Sequence, residues 1–174
     1  PPKQHTTMAN SAALAAGDFN HDKKTDLAVV TYGSNSVNIL LGDGQGGILA
    51  SSDLPGIGNP GKLVASDVNQ DGSLDLIVTS GFTHSVNVLL GNSKGGFGTA
   101  ATFPTGLSPV AVAVADLNRD QFPDIVVANT GSGGISVLLG DGRGSYGTAT
   151  NYSTGNFPIG IGIGDLNGDS KPDL

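Results

Sequence analysis

Four segments of the chain, GDFNHDKKTDLAVV, SDVNQDGSLDLIVT, ADLNRDQFPDIVVA and GDLNGDSKPDL, place their first aspartates at Asp18, Asp67, Asp116 and Asp165. Each step is 49 residues, with no insertion or deletion. The register extends beyond these segments. NILLGDGQGG, NVLLGNSKGG and SVLLGDGRGS align, and so do Pro60, Pro109 and Pro158. A fixed period of this length means stacked copies of one supersecondary unit, none of which buries its apolar face alone.

Each unit reads as β structure. VAVAVAD and IGIGIGD alternate a β-branched residue with Ala or Gly, which gives a strand one bulky and one very small face. After the aspartates come LAVV, LIVT and IVVA, short apolar runs suited to a strand covered on both sides. A loop holding Gly33, Gly81 or Gly131 leads to a third strand. Gly42-Asp43-Gly44, Gly91-Asn92-Ser93 and Gly140-Asp141-Gly142 then supply hairpin turns. A more polar fourth strand follows, as in GTAATFPT. Twenty-eight glycines and nine prolines agree with short strands and tight turns rather than helices.

Four strands per 49 residues predict an all-β fold, a β-propeller of four-stranded blades, in preference to a β-solenoid with its shorter coils. The expected divisions are an outer strand of a preceding blade over residues 1–9 and blades over 10–58, 59–107 and 108–156. The start of a fourth blade follows at 157–174. About three and a half blades make an incomplete ring. Four whole units need 196 residues, 22 more than the chain has, so either a longer chain or several copies would complete it. The longer chain is the preferred expectation, with a ring-completing homo-oligomer as the alternative.

All fifteen acidic residues are aspartate, and twelve fall in one loop pattern, Asp-x-Asn-x-Asp-x-x-x-Asp. Positions 1, 3, 5 and 9 are Asp18, Asn20, Asp22 and Asp26; Asp67, Asn69, Asp71 and Asp75; Asp116, Asn118, Asp120 and Asp124; and Asp165, Asn167, Asp169 and Asp173. Three carboxylates within nine residues repel one another unless a cation sits among them. An all-oxygen donor set selects Ca²⁺ over zinc or copper, and Mg²⁺ is disfavoured by its tighter octahedron. The expectation is up to four Ca²⁺, one per loop. Position 7, filled by Lys24, Ser73, Phe122 and Lys171, would ligate through its carbonyl, so its side chain is free to vary. Asx-rich turns arise without metal, but four copies with the same oxygen positions favour the cation. An EF-hand is excluded, because its twelfth position is Val29, Val78 or Val127 rather than glutamate and the flanks are strands. Glycine at position 6, where a sharp turn needs it, occurs only as Gly72, so the Asp67–Asp75 loop is expected to bind most tightly.

These residues resemble the FG-GAP/VCBS repeat family, which includes the propeller of integrin alpha subunits. GGFGTAATFPTGLSPVAVAVADLNRDQFPDIVVA carries the Phe97-Gly98 pair, the Ser-Pro before the inner strand and the aspartate loop. Departures are Asn for the usual second Asp, and Ile48-Leu49 and Tyr146-Gly147 in the Phe-Gly column. The resemblance covers nearly the whole chain. It implies calcium ligation by the loop residues named above and a secreted or cell-surface protein serving adhesion, ligand binding or carbohydrate recognition.

Other functions find little in the residues. A formal charge of −7 argues against nucleic acid, and no run approaches the roughly 20 apolar residues of a membrane span. With no cysteine there is no disulfide, thiolate metal site or cysteine nucleophile. Asp43 and Asp141 are turn residues, and His5, His21 and His84 are scattered, so no catalytic residues are assigned and no enzyme is expected. The chain has no tryptophan to stack a sugar. Tyr146 is expected in the packing between blades. Tyr32 is the candidate ligand contact, with an extracellular protein or glycan as partner. A lectin-type propeller built from several copies, or an accessory propeller of a longer secreted enzyme, are the alternatives.

Overall fold

The structure, a computed structural model, describes residues 11–31 and 35–174. Its described residues form twelve strands in three antiparallel sheets and no helix. The first sheet runs β1 (Ser11–Gly17), β2 (Asp26–Thr31), β3 (Ser36–Gly42) and β4 (Ile48–Pro55) in spatial order. The second runs β5 (Pro60–Ser66), β6 (Asp75–Ser80), β7 (Ser85–Leu89) and β8 (Ala101–Pro104). The third runs β9 (Pro109–Ala115), β10 (Asp124–Asn129), β11 (Gly134–Leu138) and β12 (Thr150–Ser153). Each is a meander, the form of a propeller blade, and the three do not close into a ring. The fourth unit contributes its loop and one bridge, Gly164 to Asp173. Residues 1–9, expected as an outer strand, lie outside the described residues.

The blades adjoin through their first strands, β1 beside β5 and β5 beside β9. Their small faces, Ala13 and Ala15 for example, permit that approach. The second strands explain how one apolar run serves two interfaces. In β6, Leu76 and Val78 enter a core shared with Val30, Val37 and Ile39 of the first blade. Ile77, between them in sequence, enters a second core with Ile125, Val127 and Leu138 of the third. Alternate residues thus fill opposite interfaces, and all six residues of β6 and of β10 are buried. Each aliphatic side chain so buried contributes about 1.5–3 kcal/mol. The cohesion therefore lies between blades. The fourth strands, β4, β8 and β12, are mostly exposed.

Hairpins of successive blades cover their predecessors. Gly95 lies so close to Leu41, and Gly144 to Leu90, that an added Cβ would fall 2.9 Å and 2.7 Å from a leucine methyl. The Phe-Gly column is part of this cover. Phe97 meets Phe19 edge to face at 5.6 Å between ring centres, and Tyr146 meets Phe103 at 5.3 Å. Tyr146 is buried, as its column predicts.

Candidate metal centre

The aspartate loops join the first strand of each blade to the second, and they fold alike. Asp18 Oδ1 and Asn20 Oδ1 both accept the amide of Asp22, at 3.1 and 3.0 Å. Asp18 Oδ2 takes the Lys23 amide at 2.8 Å, and Asp22 Oδ1 takes that of Lys24 at 2.9 Å. The same bonds recur from Asp67, Asn69 and Asp71, from Asp116, Asn118 and Asp120, and from Asp165, Asn167 and Asp169. The side-chain oxygens of positions 1 and 3 therefore converge on the amide of position 5, inside a curl of backbone.

Two residues per loop pay for that curl in backbone strain. Position 6 is left-handed in every copy: Lys23 (φ 65°), Gly72 (87°), Gln121 (74°) and Ser170 (62°). Position 4 is left-handed too, at His21 (60°), Gln70 (59°), Arg119 (65°) and Gly168 (82°). A non-glycine residue there costs on the order of 1 kcal/mol. Glycine relieves position 6 in the second loop and position 4 in the fourth, so the advantage expected for the Asp67–Asp75 loop is shared with the fourth. Position 4 carries a single glycine, Gly168, just as position 6 carries only Gly72.

Position 9 has a second role that its spacing does not reveal. Asp26, Asp75 and Asp124 are fully buried. One oxygen of each accepts the amide of position 2, from Phe19, Val68 and Leu117, all at 2.9 Å. The other accepts the amide of Gly42, Gly91 and Gly140 at 2.8–2.9 Å. The carboxylate thus ties the loop to the far end of the third strand. Glycine is required at its partner, since a Cβ on Gly42, Gly91 or Gly140 would stand 2.2–2.3 Å from a backbone carbonyl. Asp173 keeps the first bond, from Leu166, and is only half-buried.

Position 7 side chains vary with the hairpin they touch. The Phe122 ring lies against Gly142 and the Lys24 stem against Gly44, while Ser73 Oγ meets Ser93 Oγ at 2.7 Å. Asp43 and Asp141 are turn residues, each accepting two amides of its own hairpin at 2.7–3.1 Å. Tyr32, the candidate ligand contact, lies outside the described residues.

Charge in the loops is only partly balanced. Lys24 pairs with Asp22 at 3.2 Å, and Lys171 with Asp169 at 3.8 Å. The Ser73 amide, with the Asn69 side chain, holds the Asp71 carboxyl below its ordinary range. Burial pushes Asp75 up, and the neighbouring carboxylates Asp71 and Asp67 add to this. Among the described residues no three acidic or imidazole side chains form a ready-made metal cage. The donor set nevertheless fits a hard cation. Positions 1, 3 and 5 each offer an oxygen, two of them already turned toward one point. In the second and third loops the Asn69 and Asn118 NH2 groups donate to the position 5 carboxylate at 2.9 and 2.8 Å, and the accepting oxygens keep further lone pairs.

Comparisons with known proteins agree with this architecture. No curated protein matches the sequence. Among solved structures, the chain is similar to BBS1N, crystallised in complex with ARL6DN and soaked with mercury. The TM-score is 0.63 at 15% identity, over 91% of this chain and 50% of that one. It is similar also to the Vibrio cholerae biofilm matrix protein Bap1 (TM-score 0.47, 21% identity, 94% of this chain and 34% of that). A third is the Photorhabdus luminescens Tc holotoxin pore (0.49, 19%, 95% and 9%). The chain spans half or less of the length of each. The FG-GAP-like repeat matches three times, over residues 18–78, 67–127 and 116–174. With three blades built on that unit, the chain belongs to the FG-GAP-like repeat family.

Proposed function

We propose that this chain is a calcium-stabilised, non-catalytic binding or adhesion module of an extracellular protein. The observation that carries the reading is the fourfold recurrence of one oxygen-lined loop, with the same amide bonds each time. Positions 1, 3 and 5, the carbonyl of position 7 and the remaining lone pairs of position 9 would hold the ion. Bound there, it supplies positive charge among three carboxylates and fixes the curl that joins first strand to second.

The reading of the ion as a staple follows from magnitudes. An extracellular-type site of about 10⁻⁴ M at about 1 mM Ca²⁺ adds roughly 1.4 kcal/mol. Four such sites add about 5 kcal/mol, comparable to the stability of a whole domain. The histidines support the non-catalytic part. His84 Nδ1 accepts the Ser108 amide at 3.2 Å, and His21 occupies a loop position beside committed aspartates. No described helix is long and apolar enough to cross a membrane. A partner held on a fold of this kind has a parallel in BBS1N with ARL6DN, at the level of fold alone.

Thermal unfolding with calcium and with a chelator tests the reading. Calcium should raise Tm by 10 °C or more, taking about 5 kcal/mol at roughly 2–4 °C per kcal/mol. A Tm indifferent to chelation refutes it.

A further inference from the structure

The face opposite the aspartate loops has an electrostatic character of its own. Its described part is built from the connections after β6 and β10 and after β4, β8 and β12, and none of these segments contains an aspartate. Asp43 and Asp141 lie on the loop side, and Asp53 sits on β4 bonded to Asn38 Nδ2 at 2.7 Å. The described cations gather on the aspartate side too. Lys23, Lys24, Arg119 and Lys171 are in the loops, and Lys94 and Arg143 are in the hairpins. Lys62, two residues into β5, is the exception.

Lys62 departs from its repeat. The equivalent residues are Ala13, Ala111 and Gly160, small residues of the inner strand. Phe82 departs as well, standing where Gly33 and Gly131 stand, and it is 73% exposed. The shared unit requires neither residue, and both lie toward this face. Lys62 lines a cavity of about 190 Å³ between the second and third blades, with Asn59, Gly61, Gly81 and Ser108. Phe82 follows the lining residue Gly81 directly and packs across Gly58, the neighbour of Asn59, its Cβ 3.4 Å from where a Cβ on Gly58 would lie. Among the described residues Lys62 makes no ion pair. Asn59 and Ser108 donate their backbone amides to Asn35 Oδ1 and His84 Nδ1, while among the described residues the Asn59 side-chain amide and the Ser108 hydroxyl make no hydrogen bond. Both residues are held left-handed, at φ 50° and 54°.

We propose that this cavity binds a carboxylate-bearing sugar residue, a uronic or sialic acid of an acidic glycan. Lys62 takes the carboxylate, Asn59 and Ser108 take hydroxyls, and Phe82 receives the C–H face of the ring. One cation amid neutral donors suits a single negative charge, and the cavity suits one residue rather than a long segment. An acidic peptide supplies the charge but no rigid C–H face. The aspartates of the opposite face do not forbid an anion here. From Lys62 to Asp67, the start of the loop, is five residues of strand, about 17 Å or roughly two Debye lengths at physiological ionic strength.

The inference rests on the binding-module reading and is tested apart from the calcium staple. Calcium-saturated protein is titrated with acidic oligosaccharides ending in glucuronate or N-acetylneuraminate, with their neutral counterparts and with aspartate-rich peptides. Lys62→Ala and Phe82→Gly install residues that other units already carry, and an unchanged Tm verifies their folding. Acidic glycans should bind at least about tenfold more tightly than neutral ones, the scale of a charge-assisted hydrogen bond. Lys62→Ala should abolish that preference, and Phe82→Gly should weaken both. Binding of neutral glycans or peptides alone, or binding that neither variant alters, overturns this site and leaves the module reading standing. Binding of nothing in the panel counts against the site and the module alike, while the calcium shift in Tm still judges the staple.

Discussion

Gln70 donates its side-chain amide to the carbonyl of Gln121 at 2.7 Å, and Arg119, 49 residues further on, donates to the carbonyl of Ser170. In both cases position 4 of one loop holds the strained position 6 of the next. The loops are therefore braced across the blade boundary by side chains that share no chemistry beyond a donor N–H. Removing one donor should cost about 0.5–1.5 kcal/mol, the net value of an exposed hydrogen bond. Gln70→Ala and Arg119→Ala should each lower the urea midpoint without changing the slope. An unmoved midpoint in both would show the braces to be idle.

Asp124 and Asp173 share position 9 but not its duties. Asp124→Ala leaves the amides of Leu117 and Gly140 without their acceptor in a buried site, which should cost about 3 kcal/mol. Asp173→Ala exposes one amide at a solvated edge, and less than about 1 kcal/mol is expected. Chemical denaturation in chelator isolates this from any metal. Equal losses would refute the clamp.

Tyr146 carries a buried hydroxyl that finds no partner among the described residues, and burial, with Asp124 and Asp75 nearby, pushes its ionisation far up. Its column mate Phe97 fills the equivalent place without a hydroxyl. Tyr146→Phe should therefore stabilise the protein by about 1 kcal/mol. A lower Tm for this variant would mean that the hydroxyl is satisfied in solution.

Asp71 and Asp75 make stability depend on pH in opposite senses. The folded pKa of Asp71 lies below its unfolded value of about 3.9. Its contribution is therefore present above that value and lost as pH falls through the folded one. Asp75 is raised by burial, so stability is lost as pH rises from the unfolded value through the folded one. In chelator the joint contribution of the pair should peak near about pH 4. Calcium, by balancing the ionised Asp75, should add more stability at pH 7 than at pH 5. Urea midpoints at stepped pH measure this, and a calcium increment that does not grow with pH contradicts it.

Much of this was legible in the residues because a repeat multiplies weak signals. One LIVT is ambiguous, but three such runs in register between aspartate loops and Gly-rich turns define a blade. The loop oxygens were legible for the same reason. What escaped was whatever the repeat does not hold constant or expresses only in three dimensions. The brace at position 4 is made by Gln70 and Arg119, whose equivalents are His21 and Gly168, so no column marks it. The clamp of Asp26 on Gly42 joins residues 16 apart, through a glycine whose sequence context reads as part of a turn. Lys62 and Phe82 each look incidental until the fold sets Phe82 next to Gly81, at the cavity that Lys62 lines.

The cover that each hairpin gives its predecessor has a temporal side. The Gly95 amide bonds the Phe19 carbonyl at 2.9 Å, and Phe19 and Val68 are buried while Leu166, their counterpart in the fourth loop, is 78% exposed. A loop is thus sealed only by chain that leaves the ribosome later. Phe19 and Gly95 are 76 residues apart, about 4–15 s of synthesis at 5–20 residues per second. During that interval the newest loop shows one apolar residue to solvent, flanked by aspartates that discourage its association with other chains.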